Sequence, residues 1–174
     1  MPELPEVQTI VDDLNKKVIG RKIIGVWFDW KKIIKKPRPE DFEREIKGKK
    51  ILKVHRKAKN VLINLSDGFM MLIHQKMTGH LLVGKWKIIN GKATVIEPKS
   101  IAGDPYNRFV HVIFYLNDGS MLALSDMRKF AKIILGKKEY LENLPELKEL
   151  GPEPLDTSFK VDKFISLISP KTGK

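Results

Sequence analysis

Two Asp-Gly turns constrain this chain more than any other feature. Ser66-Asp67-Gly68 separates Val61–Leu65 from Phe69–His74, and Asn117-Asp118-Gly119 separates Val110–Leu116 from Ser120–Leu124. Asp-Gly between short β-rich runs is a strong local signal for a hairpin, because such turns need residues that tolerate positive φ. Further strands are expected at Lys22–Trp30, Ile51–Val54, Leu81–Val83 and Phe130–Leu135, with Lys31–Lys36 pairing with Lys22–Trp30 or continuing it. The stretch Asn90–Asn107 reads mostly as a loop. Short strands closed by these turns favour a sandwich or a barrel, mainly β with flanking α-helices.

The helices sit at the two ends of the sequence. Val7, Ile10, Val11, Leu14 and Val18 form one apolar stripe at helical spacing over residues 5–18, and Gly20 marks the stop. Glu40–Ile46 reads as a short helix. After Gly136, Lys138–Leu150 is helical and acidic, broken by Pro145, and Gly151-Pro152-Glu153-Pro154 is a rigid linker. Thr157 or Ser158 is placed to cap a last helix through about Ile168, whose Phe159, Phe164, Leu167 and Ile168 have no evident partner.

Charge points to a polyanionic partner. The net charge is +12, from 33 Lys+Arg against 21 Asp+Glu. Lys47, Lys49, Lys50, Lys53, Arg56, Lys57 and Lys59 follow one another without an intervening acid, and a second basic cluster runs from Lys31 to Arg38. A basic surface with no particular ligand has the same composition. The sequence has no cysteine, which excludes disulfides and thiolate zinc sites. Four histidines without close spacing do not make a metal site, so no metal or cofactor is expected. No apolar run reaches the roughly 18 residues of a membrane-spanning helix. The polar, proline-bearing start argues against a secretory signal, so a cytoplasmic protein is expected.

The opening Met1-Pro2-Glu3-Leu4-Pro5-Glu6 carries the chemistry. If Met1 is cleaved, Pro2 presents a secondary amine. A terminal amine with a pKa near about 8 is roughly a tenth neutral at pH 7, whereas a lysine is almost wholly charged. The positive end of the following helix lowers that pKa further. Such an amine attacking a sugar C1′ forms an iminium directly. Glu3 stands beside it as proton donor or acceptor. Proline and glutamate in a first helical turn are equally ordinary helix-start chemistry, so the six residues alone leave both readings open.

Several separated motifs then point one way. The opening Met1–Val7, Arg56-Lys57-Ala58-Lys59, His74-Gln75-Lys76-Met77-Thr78-Gly79, Asp126-Met127-Arg128-Lys129-Phe130 and Leu150-Gly151-Pro152-Glu153-Pro154-Leu155 occur in order. Together they resemble the formamidopyrimidine-DNA glycosylase/endonuclease VIII family, closest to its formamidopyrimidine-DNA glycosylase branch, over essentially the whole chain. The resemblance implies a bifunctional base-excision repair enzyme. It would remove oxidised purines such as 8-oxoguanine and formamidopyrimidines from double-stranded DNA, then cut the abasic strand by elimination. It implies a two-sheet β-sandwich over 1–136, a helical and proline-rich linker over 137–155, and the first helix of a helix–two-turns–helix domain over 156–174. The rest of that domain and the family's four-cysteine zinc finger have no match here. A monomer working on nucleoid DNA is expected.

By the same resemblance Pro2 matches the nucleophile and Glu3 the general acid that protonates the sugar ring oxygen. Glu6 matches a buried supporting carboxylate. Lys59 matches a strand-turn lysine that contacts phosphate and assists elimination. Enzymes acting on a stacked base must extrude it and fill the hole. Met77, Arg128 and Phe130 match the filling residues, His74 a phosphate-side residue and Lys171 a DNA-contacting lysine. Read without the resemblance, Met77 is a core filler, Phe130 an inward strand residue, Arg128 and Lys59 solvated charges, and His74 a satisfied structural histidine.

The chain also departs from the pattern. Gln75-Lys76 replaces the usual Leu-Gly, Met127 the proline before Arg128, Ala131 the glycine after Phe130, and Phe109 the first of two histidines whose second is His111. The alternative to an active domain is a non-catalytic basic DNA-binding remnant, or a truncated fragment lacking the second half of the DNA cleft.

Overall fold

The computed structural model describes residues 2–97, 103–153, 156 and 159–169. Helix α1 (Leu4–Lys17) forms where the stripe requires it and buries Val7, Ile10, Val11 and Leu14. Strands β1 (Ile23–Phe28), β8 (Val110–Leu116), β9 (Met121–Asp126), β6 (Gly79–Ile89) and β7 (Lys92–Glu97) form one five-stranded sheet in that order. A second sheet has the order β2 (Ile34–Lys36), β10 (Lys132–Lys137), β5 (Phe69–His74), β4 (Asn60–Leu65) and β3 (Ile51–Lys57). This is a sandwich, and the expected fold class holds.

Why the middle strands read as continuous apolar runs is visible in their two faces. Val61, Ile63, Leu65, Met71, Ile73, Ile133 and Leu135 point into the core between the sheets, opposite Val112, Phe114, Leu116, Leu122 and Leu124. The alternate residues Leu62, Met70, Leu72 and Ile134 face outward and are buried beneath Leu141 and Leu147. Those two belong to short helices α3 (Lys138–Glu142) and α4 (Pro145–Lys148). On the other sheet Leu82, Trp86, Ile113 and Ala123 make a third apolar layer. Strands covered on both faces lose the polar alternation that marks a solvent-facing sheet.

Three expectations change. Lys31–Lys36 does not extend β1. After a 3-10 turn (Lys31–Ile33) the chain crosses to the second sheet, where β2 runs parallel to β10, because Ile33 and Ile34 bury in the central core. The supposed loop at 90–107 begins with a strand: Asn90 (φ +49) and Gly91 (φ +74) turn β6 tightly into β7. Trp86 secures this edge, its indole N–H donating to Asn107 Oδ1 at 3.0 Å from a 3-10 helix at Pro105–Phe109. Finally, β10 starts at Lys132, which leaves Phe130 outside the strand.

Helix α2 (Pro39–Ile46) buries Phe42 and Ile46. Helix α5 (Val161–Ile168) presents Val161, Phe164, Ile165, Leu167 and Ile168 to solvent, each at least half exposed. The expected caps Thr157 and Ser158 lie outside the described residues.

Candidate functional site

Helix α1 lies antiparallel along β3, and this fixes what its first residues meet. Asn15 Nδ2 donates to Val54 O at 2.7 Å and Asn15 Oδ1 accepts from the Val54 N–H at 3.2 Å. Closer to the helix start, Arg56 Nε donates to Gln8 Oε1 at 2.8 Å. Last, Lys59 Nζ reaches Glu3 Oε2 at 2.7 Å. The spacing is consistent: twelve helical residues rise roughly 18 Å, while five strand residues advance roughly 16 Å. The Lys59 turn is thereby delivered to the helix N-terminus.

Glu3 is the N-cap residue of α1, and its amide N–H donates to Glu6 Oε2 at 2.8 Å. Glu6 is exposed, which corrects the expectation of a buried carboxylate. Its carboxylate turns back along the helix start to the Glu3 N–H, away from the buried stripe of Val7, Ile10, Val11 and Leu14. Pro2 is half-buried and lines a cavity of about 410 Å³ together with Glu6, Met77, Thr78, His80 and Tyr106.

The cavity is also lined by the first of two linked loops, through Met77, Thr78 and Gly79. In the first, Gly79 follows a turn in which its N–H donates to Gln75 O at 2.9 Å. A Cβ on Gly79 would stand 2.4 Å from that oxygen, so no other residue fits. In the second, the fully buried Asp126 holds the chain through its carboxylate. It accepts from the Thr78 hydroxyl, from the Ala131 N–H at 2.6 Å and from the Arg128 N–H at 3.2 Å. Thr78 Oγ1 also accepts from the Arg128 N–H at 3.1 Å, which ties the two loops together.

These loops bring Met77, Arg128 and Phe130 into one cluster. Arg128 Nη1 lies 3.0 Å from Met77 Sδ, and its guanidinium carbon lies 4.6 Å from the Phe130 ring centroid. Met77 is 44% and Phe130 51% exposed, which rules out the core and inward-strand readings for them.

His74 ends β5 in register with Asn60 and Lys132, next to the Lys59 turn. Its Nδ1 accepts from the Lys76 N–H at 3.0 Å, leaving Nε2 to carry the proton. Burial, aided by the positive charge of Lys76 and Lys132, pushes the imidazole down to about 4. His80 stacks on Tyr106 with ring centroids 4.5 Å apart, and burial lowers its pKa too. His111 Nδ1 lies 2.8 Å from Asp29 Oδ1, so this retained histidine is held by a carboxylate. Lys171 lies outside the described residues. Among the described residues no three His, Asp or Glu side chains converge as a metal site.

Sequence reasoning did not assign roles to Asp126, Glu153, or the His80–Tyr106 stack. For Asp126 a signal existed, an acid closing a strand whose first four positions, Met121–Leu124, are apolar.

Residues 1–133 match the formamidopyrimidine-DNA glycosylase N-terminal domain. A formamidopyrimidine-DNA glycosylase of Pelotomaculum thermopropionicum is 42% identical over 160 residues, covering 91% of this chain and 52% of that protein. One from Herpetosiphon aurantiacus is 33% identical over 175 residues, covering 100% of this chain and 58% of that protein. The chain thus spans about half the length of the curated relatives it matches. Among solved structures, the fold resembles Lactococcus lactis Fpg bound to abasic-site DNA, with TM-score 0.74 and 23% identity over 95% of this chain and 55% of that one. The same protein bound to DNA containing an oxidised pyrimidine gives TM-score 0.70 and 25% identity over 88% and 51%.

Proposed function

Because the chain belongs to the formamidopyrimidine-DNA glycosylase family, we propose that it carries the catalytic half of a base-excision DNA glycosylase/AP lyase acting on oxidised purines in duplex DNA. The observation that carries this reading is the shared cavity: Pro2 and Met77 line one space of about 410 Å³, so nucleophile and wedge act on the same nucleotide.

With Met1 removed, the Pro2 nitrogen lone pair forms a bond to C1′ of the extruded nucleoside. The C1′–base bond breaks, its electrons leave with the base, and the base takes up a proton. The amine sheds its own proton. Glu3, paired to Lys59 at 2.7 Å, relays a proton to the sugar ring oxygen as the C1′–O bond opens, giving the iminium. Loss of a C2′ proton then expels the 3′ phosphate, and water releases Pro2 from the cut strand. Lys59 and the neutral His74 face the phosphates. Met77 and Phe130 wedge into the stack, and Arg128 bonds to the orphaned base.

The test is borohydride trapping of the Met1-cleaved chain on an abasic-site duplex, beside Pro2→Gly. A covalent adduct lost in the variant is the expected result. Salt-dependent binding with no adduct, Met1 being absent by intact mass, would instead leave a binding module.

A further inference from the structure

Two of the motifs met along the sequence, 97 residues apart, close on each other in space. The Arg56 guanidinium and the Glu153 carboxylate form an ion pair in which Arg56 is 5% and Glu153 22% exposed. The pair surrounds one residue. The second oxygen of Glu153 accepts the Ala58 N–H, and Arg56 Nη1 lies 3.5 Å from the Ala58 carbonyl oxygen. Both backbone groups of Ala58 are thus held by the two ends of one ion pair.

Ala58 needs such a grip. Its φ is +48, the left-handed region that an alanine enters only at a cost. A two-residue turn between Lys57 and Asn60 requires it. The next residue is Lys59, whose ammonium stands against Glu3. The same guanidinium also donates through Nε to Gln8 of α1, the helix that begins beside Pro2. Arg56 therefore joins the helix bearing the nucleophile to the turn bearing the lysine, and Glu153 fixes the angle of that turn.

We propose that Glu153 is a positioning residue for Lys59: with Arg56 it locks Ala58 in its left-handed turn and so sets the Lys59 ammonium against Glu3 and the reacting sugar. The inference rests on the Pro2–Lys59 reading of the site. Glu153 touches no substrate, and its effect passes through Lys59 alone. A carboxylate serving only to hold its segment on the sheet would act independently of Lys59.

A double-mutant cycle separates the two. Borohydride trapping rates on an abasic-site duplex would be measured for the Met1-cleaved full chain, Glu153→Ala, Lys59→Ala and the double variant. Glu153→Ala should slow trapping about 10-fold with DNA affinity held within about twofold, and should add no loss once Lys59 is alanine. Amide exchange at Ala58 should accelerate in Glu153→Ala. Glu153→Gln, which keeps an oxygen for the Ala58 N–H without the charge, repeats the cycle if the alanine variant does not fold, and its rate should fall between. An unchanged rate, or an equal loss in both Lys59 backgrounds, overturns the proposal while leaving the Pro2 chemistry standing. No adduct from the parent chain overturns that chemistry and this role with it.

Discussion

The Arg128 guanidinium carbon lies over Phe130, 4.6 Å from the ring centroid. An exposed cation–π contact contributes about 0.5–1 kcal/mol, enough to bias the two side chains toward one arrangement. Base stacking on an aromatic contributes about 1–3 kcal/mol. Phe130→Ala should therefore weaken binding to an abasic-site duplex about 10-fold or more while barely changing affinity for undamaged duplex. Fluorescence anisotropy with both duplexes checks this. Equal loss on the two would remove Phe130 from the wedge.

Lys59→Ala separates chemistry from stability. The Glu3–Lys59 pair is 57% and 33% exposed on its two sides, so its loss should cost at most about 1 kcal/mol of folding stability. Positioned proton transfer contributes about 100-fold or more. Trapping should slow by about that factor while the melting temperature moves by only a few degrees. A large drop in melting temperature would mean the pair is structural.

Gly79→Ala tests the loop that carries Met77. The new Cβ meets a backbone oxygen and not a flexible side chain, so the turn from Gln75 must move. A cost of about 1–3 kcal/mol is expected, or roughly 2–12 °C in Tm for a chain of this size, with weakened binding of abasic-site DNA. A variant that melts like the parent would show that the turn has room.

His74 should titrate with a midpoint near about 4 by NMR, since burial disfavours its charged form. Its folded pKa lies below the unfolded value, so the unfolded chain binds more protons between the two. Its contribution to stability is full above the ordinary histidine pKa and is lost as pH falls toward 4. His55 and His80, also lowered by burial, act in the same direction. His74→Gln should flatten the fall in stability below pH 6.5 and leave the curve above it unchanged. DNA binding should show no step from His74 between pH 6 and 8.

Much of the site was legible because its chemistry is local in sequence. Pro2 and Glu3 sit at a helix start that any periodicity reading finds, and Lys59 sits where two strands must turn. Residues whose role comes from distant contacts were less legible. Glu153 reads as part of a rigid linker until the fold returns it to Arg56 and Ala58. Met77 reads as core filler because nothing near it in sequence shows that Gly79 and Asp126 hold its loop outward. Strand β7 hid behind prolines and glycines, although Asn90-Gly91 is itself a hairpin turn. The crossing of β2 to the second sheet depends on where Ile33 and Ile34 can bury, which no local pattern encodes.

Strand β3 lies at the rim of its sheet, where an open row of N–H and C=O groups could template another chain. Asn15 already occupies both backbone groups of Val54, in the middle of that row. The helix that begins beside Pro2 therefore also keeps the sheet from growing by edge-to-edge association. A change at Asn15 would surface first as concentration-dependent aggregation, with the reacting groups untouched.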